Sequence, residues 1–129
     1  VGHAAGFWRE ISGDADSDPD MVPQGPVVEG VRLYRLFDTY SNLYADLSAG
    51  SAFRTLSRDL DHARSFIIRF ADRLLFGRDY YGADTLPLLR SLDLPEDVCD
   101  TIYWQNAQRL VPIEGLDQPA RQKSESTIT

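Results

Sequence analysis

No disulfide can form within this chain, because Cys99 is its single cysteine. Long apolar runs are missing as well. None approaches the roughly 18 residues that cross a bilayer, so no membrane partner is expected. Basic charge is scarce, with 13 Lys and Arg against 20 Asp and Glu and a net charge of −7. A phosphate backbone or an anionic lipid surface finds no complementary field there, and no nucleic-acid partner is expected either. No basic stretch followed by a short apolar one marks a secretion signal, which points to a cytoplasmic setting. GxGxxG, the Walker loop, GxSxG, HExxH and CxxC are all absent, which removes the enzyme classes built on them. Histidine is rare too: His3 and His62 are the two the chain has.

What is present suits one domain. The 129 residues are 43% apolar and 26% charged, enough for a sizeable core. The chain opens Val1-Gly2-His3, without methionine, like the end of a strand begun earlier. A piece of a longer chain is therefore expected. After VGHAAGFW, read as a strand end and a turn, residues 12–30 are rich in Asp, Gly and Pro and predict a long acidic loop. Residues 31–40 carry apolar side chains at 33, 36, 37 and 40, a helical spacing. NLYADLSA alternates Leu43, Ala45 and Leu47 against Tyr44, Asp46 and Ser48, the pattern of a strand. Residues 58–71 space Leu60, Ala63, Phe66, Ile67 and Phe70 along a helix that Ser57 or Asp59 would cap.

RLLFG predicts a short buried strand, and 84–92 a short helix with Pro87 in its first turn. A further helix is expected from Pro95 to Val111, with Val98, Ile102, Leu110 and Ala107 or Asn106 as its stripe. Residues 114–129 are polar and predict a disordered tail. Strands alternating with helices give an α/β fold with a parallel sheet. Three strands make a small sheet whose edges need partners.

Candidate chemistry gathers at the C-terminal ends of these strands, the rim where parallel α/β folds bind ligands. His3, Asp46 with Ser48, and Asp79 stand there. Parity places Asp79 on the face of Gly77 and Leu75, with Arg78, Phe76 and Leu74 opposite. Three readings of Asp79 stand at this point: a ligand for a hard divalent cation, an acceptor for a proton from water, or a cap for the next turn. His3 and Asp46 likewise read either as site residues or as structural hydrogen-bonding groups. Tyr80 and Tyr81 are candidates to line a pocket. Alternate acids at 14, 16, 18 and 20 open like a calcium loop, but Pro19 stands at the glycine position and Gly25 at that of the closing glutamate. Cys99, mid-helix and without a histidine near it in sequence, reads as buried and inert.

Taken together, VGHAAGFWREISGD, NLYADLSAGSAFRTLSRD, FADRLLFGRDYYG and IYWQNAQRLV resemble the amidohydrolase superfamily, in its amidohydrolase-related branch of TIM-barrel metal-dependent hydrolases and decarboxylases. The usual forms there look like GHGxGFW, NLYxDLSA, DRLLFGTDYP and ENAxRLL. The four motifs occur in order over residues 1–111. The resemblance implies the C-terminal part of a (β/α)8 barrel, about strands 6 to 8, over residues 1–113. It implies hydrolysis of a C–N or C–O bond in a small-molecule substrate through a metal-activated water, or a related non-oxidative decarboxylation as a lyase.

In such proteins the His ending strand 6 and the Asp ending strand 8 belong to the metal centre, and His3 and Asp79 match them. The implied cofactor is a divalent metal, zinc first. Asp46 would be an outer support. The chain departs from the family in lacking the HxH pair of strand 1 and the His of strand 5. Arg78 replaces the usual Thr, Tyr81 the usual Pro, and Ala4 and Ala5 small, glycine-rich positions. Two donors do not close a zinc shell, so the isolated chain is expected to be inactive. Its expected partner is a missing N-terminal half-barrel or a second copy. The rival expectation is a non-catalytic remnant or interaction module that needs a separate half-barrel.

Overall fold

A computed structural model describes residues 1–17, 19, 24–48, 50–79, 82 and 84–115. Tyr80, Tyr81, Asp18, Asp20 and the tail from 116 onward, each named above, lie outside the described residues. The elements run α1 (Ala4–Trp8), a 3-10 turn (Arg9–Ile11), α2 (Arg32–Thr39), β1 (Ala45–Asp46), α3 (Gly50–Leu56) and α4 (Leu60–Phe70). A second 3-10 turn (Ala71–Arg73) then leads into β2 (Leu74–Leu75), followed by α5 (Thr85–Ser91) and α6 (Glu96–Asp100). A π-helical turn (Thr101–Gln105) and α7 (Asn106–Leu110) complete the order.

The strands are short and parallel. β1 pairs with β2 in the register Ala45 to Leu74 and Asp46 to Leu75. On the other side of β1, Gly2 forms a parallel bridge to Ala45. Gly2 N–H donates to the Tyr44 carbonyl at 2.6 Å, and Asp46 N–H donates back to the Gly2 carbonyl at 3.0 Å. Leu47 N–H reaches the Leu75 carbonyl at 2.8 Å. The spatial order is thus Gly2, β1, β2: a mixed α/β structure around a small parallel sheet, as the alternation of strands and helices predicts. Gly2 has to be glycine here, because a Cβ on it would run into the Phe7 ring.

Helices cover one face of this sheet. Ala45, Leu47 and Leu74 are fully buried beneath them. α4 supplies Ala63, Phe66, Ile67 and Phe70, all buried and spaced i, i+3, i+4, i+7. Its N-terminus is capped by Asp59, whose carboxylate accepts from His62 N–H at 2.9 Å. α2 lays Leu33, Tyr34 and Phe37 against it. Phe37 stacks on Phe70 with centroids 4.8 Å apart, and Phe66 meets Trp8 edge-on at 6.2 Å. Arg73, just before β2, donates to the Phe37 carbonyl and to that of Tyr40 at 3.3 Å. The orphan carbonyls ending α2 are thereby tied to the start of β2.

The helix at 4–8 differs from the sequence expectation, which placed a turn there, and α3 falls where the sequence suggested no element. α1 follows a single paired residue, too short a strand to announce itself. α3 packs Ala52, Thr55 and Leu56 inward. Within 12–30, Ser12 bridges Val27 in antiparallel fashion. Arg58 holds this segment by donating to the Gly25 carbonyl at 2.8 Å and to Ser12 Oγ at 2.7 Å. Asp14 is engaged within the same segment, accepting from Gly25 N–H at 3.0 Å.

At the C-terminal end the expected stripe needs correction. Val98, Ile102 and Asn106 are buried, whereas Leu110 is 41% exposed. Asn106 meets the sheet directly after the π turn, while Leu110, the last residue of α7, lies at its exposed end. Asn106 Nδ2 donates to the carbonyls of Ala71 at 2.7 Å and Leu74 at 2.8 Å. Its Oδ1 accepts from Arg109, which also donates to the Asp72 carbonyl. Cys99 is half-buried rather than buried.

This docking gives a stability prediction. Asn106→Ala leaves the buried Leu74 carbonyl without its side-chain donor, while the Ala71 carbonyl keeps the Leu74 N–H, and should cost about 2 kcal/mol. Urea unfolding measures it, and a loss below about 0.5 kcal/mol would mean that Asn106 does not pin α7.

Candidate functional site

The ladder that orders Gly2, β1 and β2 also decides which side chains meet. His3 follows the bridged Gly2 directly, and Asp46 follows Ala45, the partner of Gly2. Side chains alternate along a strand, so with Ala45 and Leu47 buried under helices, Asp46 and Ser48 point to the opposite face. Leu75, opposite Asp46 in the register, points the same way, as does Asp79 by parity.

The contacts agree with this placement. His3 Nδ1 lies 2.9 Å from both oxygens of Asp46. Asp46 Oδ1 also accepts the Ser48 hydroxyl at 2.6 Å and the Ser48 N–H at 3.2 Å. On the other side of the imidazole, His3 Nε2 stands 3.9 Å from Asp79 Oδ1. The structure therefore brings both expected site residues, His3 and Asp79, to one place and puts Asp46 in direct contact with His3. Ser48, named beside Asp46 in the sequence, turns out to donate to it. Its i, i+2 spacing from Asp46 carried the signal, since it places both on one strand face.

Electrostatics match this geometry. Hydrogen bonding to Asp46 raises the His3 pKa above its ordinary 6.5, with slight desolvation opposing and the charges of Asp46 and Asp79 reinforcing it. Burial alone would raise the Asp46 carboxyl, but bonds from the Ser48 hydroxyl, the His3 ring and the Ser48 N–H outweigh it and hold it below the usual range. An ionised carboxylate only accepts, so in the neutral ring the proton sits on Nδ1. Nε2 then carries the lone pair, on the side of the ring nearer Asp79. With side chains 39% and 52% exposed, His3 and Asp79 attract each other weakly through water. Their closeness comes from the backbone that carries them.

Such a pair suits a divalent cation. A histidine that ligates a metal usually donates its other ring N–H to a carboxylate, the arrangement His3 has with Asp46. Two donors on one tetrahedral zinc, at about 2.0–2.1 Å each, stand about 3.4 Å apart, so the 3.9 Å seen here closes with a small movement. Among the described residues, however, no group of three or more His, Cys, Asp or Glu side chains converges on a common point. The other histidine serves elsewhere. His62 Nε2 lies 2.8 Å from the Tyr34 hydroxyl. Burial lowers the His62 pKa and pushes that of Tyr34 up to about 12.

The turn out of His3 is strained. His3 is extended at φ −150°, and Ala4, which starts α1, has φ +63°. A Cβ is disfavoured in this left-handed region, where glycine sits freely. Ala4→Gly should therefore stabilise the protein by about 1 kcal/mol in urea unfolding, and a destabilisation would contradict the strained turn.

A family model described as amidohydrolase matches residues 25–113. This span is more than half of the chain. It includes Asp46, Ser48, Asp79 and Asn106, while His3 falls before it. No curated protein and no solved structure matches the chain. Amidohydrolases are a hydrolase-type superfamily that generally uses divalent metals. On the strength of that match, which carries three of the four residues built into the site, the chain belongs to the amidohydrolase family.

Proposed function

We propose that this chain contributes to a metal-dependent hydrolase acting on a C–N or C–O bond of a small-molecule substrate, with a related non-oxidative decarboxylation as the neighbouring chemistry. The observation that carries the reading is the placing of His3, with Nδ1 2.9 Å from both Asp46 oxygens and Nε2 3.9 Å from Asp79 Oδ1. His3 Nε2 and Asp79 Oδ1 would hold the cation, zinc first among candidates. When bound, it would supply Lewis acidity and bring the pKa of a coordinated water down to about 7. Asp79, half exposed at the rim, is placed to take a proton at its carboxylate. Asp46 keeps the imidazole from turning.

Two donors are fewer than the three that a catalytic zinc takes from protein, so the reading needs further ligands. We place their source on the flank of β2. An apolar groove of about 820 Å³ lies there, lined by Leu75, Phe76, Trp104, Leu110, Val111 and Val1. Val1, Val111 and Ile113 are 75%, 67% and 56% exposed, a patch that water does not favour. The occupant is the rest of a (β/α)8 barrel, of which Gly2, β1 and β2 would be strands 6 to 8. Parallel sheets are normally covered on both faces and exposed strand edges invite pairing, and the incomplete metal shell asks for further strands as well. A second copy of the chain would cover the groove without supplying the absent histidines.

The second reading, a non-catalytic module that pairs with another half-barrel, is favoured by the absence of a three-ligand group among the described residues. Zinc titration of the full chain by calorimetry separates the two. The hydrolase reading predicts weak binding of one Zn²⁺, reduced in both His3→Ala and Asp79→Ala by more than the roughly 10- to 100-fold that loss of an outer partner costs. Binding equal in all three proteins would overturn it, and no binding in any would support the non-catalytic module.

A further inference from the structure

We propose that Asp46, braced by Ser48, is a positioning residue that decides which ring nitrogen His3 offers to the site. This rests on the reading of His3 as a metal donor. An unconstrained neutral imidazole prefers its proton on Nε2. In that form the N–H would lie on the Asp79 side, and the lone pair would sit on Nδ1, against Asp46. Here both carboxylate oxygens of Asp46 lie 2.9 Å from Nδ1, and a carboxylate has nothing to donate. The intrinsic preference of the ring is thereby reversed.

The brace is what makes this more than a surface contact. The Ser48 hydroxyl meets Asp46 Oδ1 at 2.6 Å, in the range of charge-assisted O–H···O⁻ bonds, and the Ser48 N–H adds a second bond at 3.2 Å. A Cβ built on Gly77 would lie 3.8 Å from Ser48 Cβ, so the chain leaving β2 runs close beside the serine. Asp46 is tied to the neighbouring strand as well, through its own N–H to the Gly2 carbonyl at 3.0 Å. The carboxylate and the imidazole therefore sit on backbone that is locked in register. The pair is side chain to side chain across 43 residues of sequence, which local turn chemistry does not explain.

Long-range ¹H–¹⁵N spectra of the ¹⁵N-labelled full chain, metal-free and at a pH where the rings are neutral, read the tautomer directly. The wild-type His3 ring should carry its proton on Nδ1. Asp46→Ala should hand the majority to Nε2, and Ser48→Ala should move the population part of the way. His62, which bonds Tyr34 instead, serves as the internal control for an intact fold. Should Asp46→Ala fail to fold, Ser48→Ala carries the test alone. A wild-type ring protonated on Nε2, or a tautomer unmoved by both substitutions, overturns the proposal. Zinc titration of the same proteins separates it from the metal reading, with Asp46→Ala expected to weaken Zn²⁺ binding roughly 10- to 100-fold. A tautomer shift with unchanged zinc binding sustains the positioning role and contradicts the metal reading. Unchanged tautomers with zinc binding lost only in His3→Ala and Asp79→Ala do the reverse.

Discussion

The parallel register that sets Gly2 beside Ala45 and Asp46 beside Leu75 is the constraint on which the site depends. Side-chain direction has period two along a strand, so a slip of one residue would turn Asp46 and Ser48 under the helices and bring Leu47 to the site. Burial of Ala45, Leu47 and Leu74 makes that slip costly. The same hydrophobic contacts that hold the sheet against α2 and α4 thus hold Asp46 at hydrogen-bonding distance from His3. No strong attraction between the charged groups is needed, and their exposure would not supply one.

The two sides of the sheet differ sharply. On the helix side, aromatic rings interlock and polar groups close the joints: Arg73 ties α2 to β2, and Asn106 ties α7 to the same strand. On the flank of β2 the apolar residues Leu75, Phe76 and Trp104 open into a groove instead. A stable core on one side and an uncovered apolar flank on the other are what a partial barrel would show.

Much of this was legible in the sequence, for reasons that can be named. α4 announces itself through four apolar residues at helical spacing and the Asp59 cap. β1 shows in the strict alternation of NLYADLSA, and that alternation correctly puts Asp46 and Ser48 on the face away from the core. His3 and Asp79 could be singled out because polar residues ending parallel strands line the ligand-binding rim. Other features left no local trace. α1 follows a one-residue bridge, and the π turn at Thr101–Gln105 has no compositional marker. The His3–Asp46 bond spans 43 positions and exists only through the register, so the family resemblance could suggest an outer support but not its partner. The left-handed Ala4 was visible as a departure from a glycine-rich motif, although its strain appears only in the backbone angle.

The central claim is that His3 presents Nε2, and not Nδ1, to whatever cation the site takes up. Because the chain has just two histidines, the four ring nitrogens can be followed one by one by ¹⁵N NMR as Zn²⁺ is added. The account predicts that the Nε2 resonance of His3 alone moves, with the Nδ1 proton of the same ring staying on Asp46. Movement of His3 Nδ1, or of either nitrogen of His62, would contradict it.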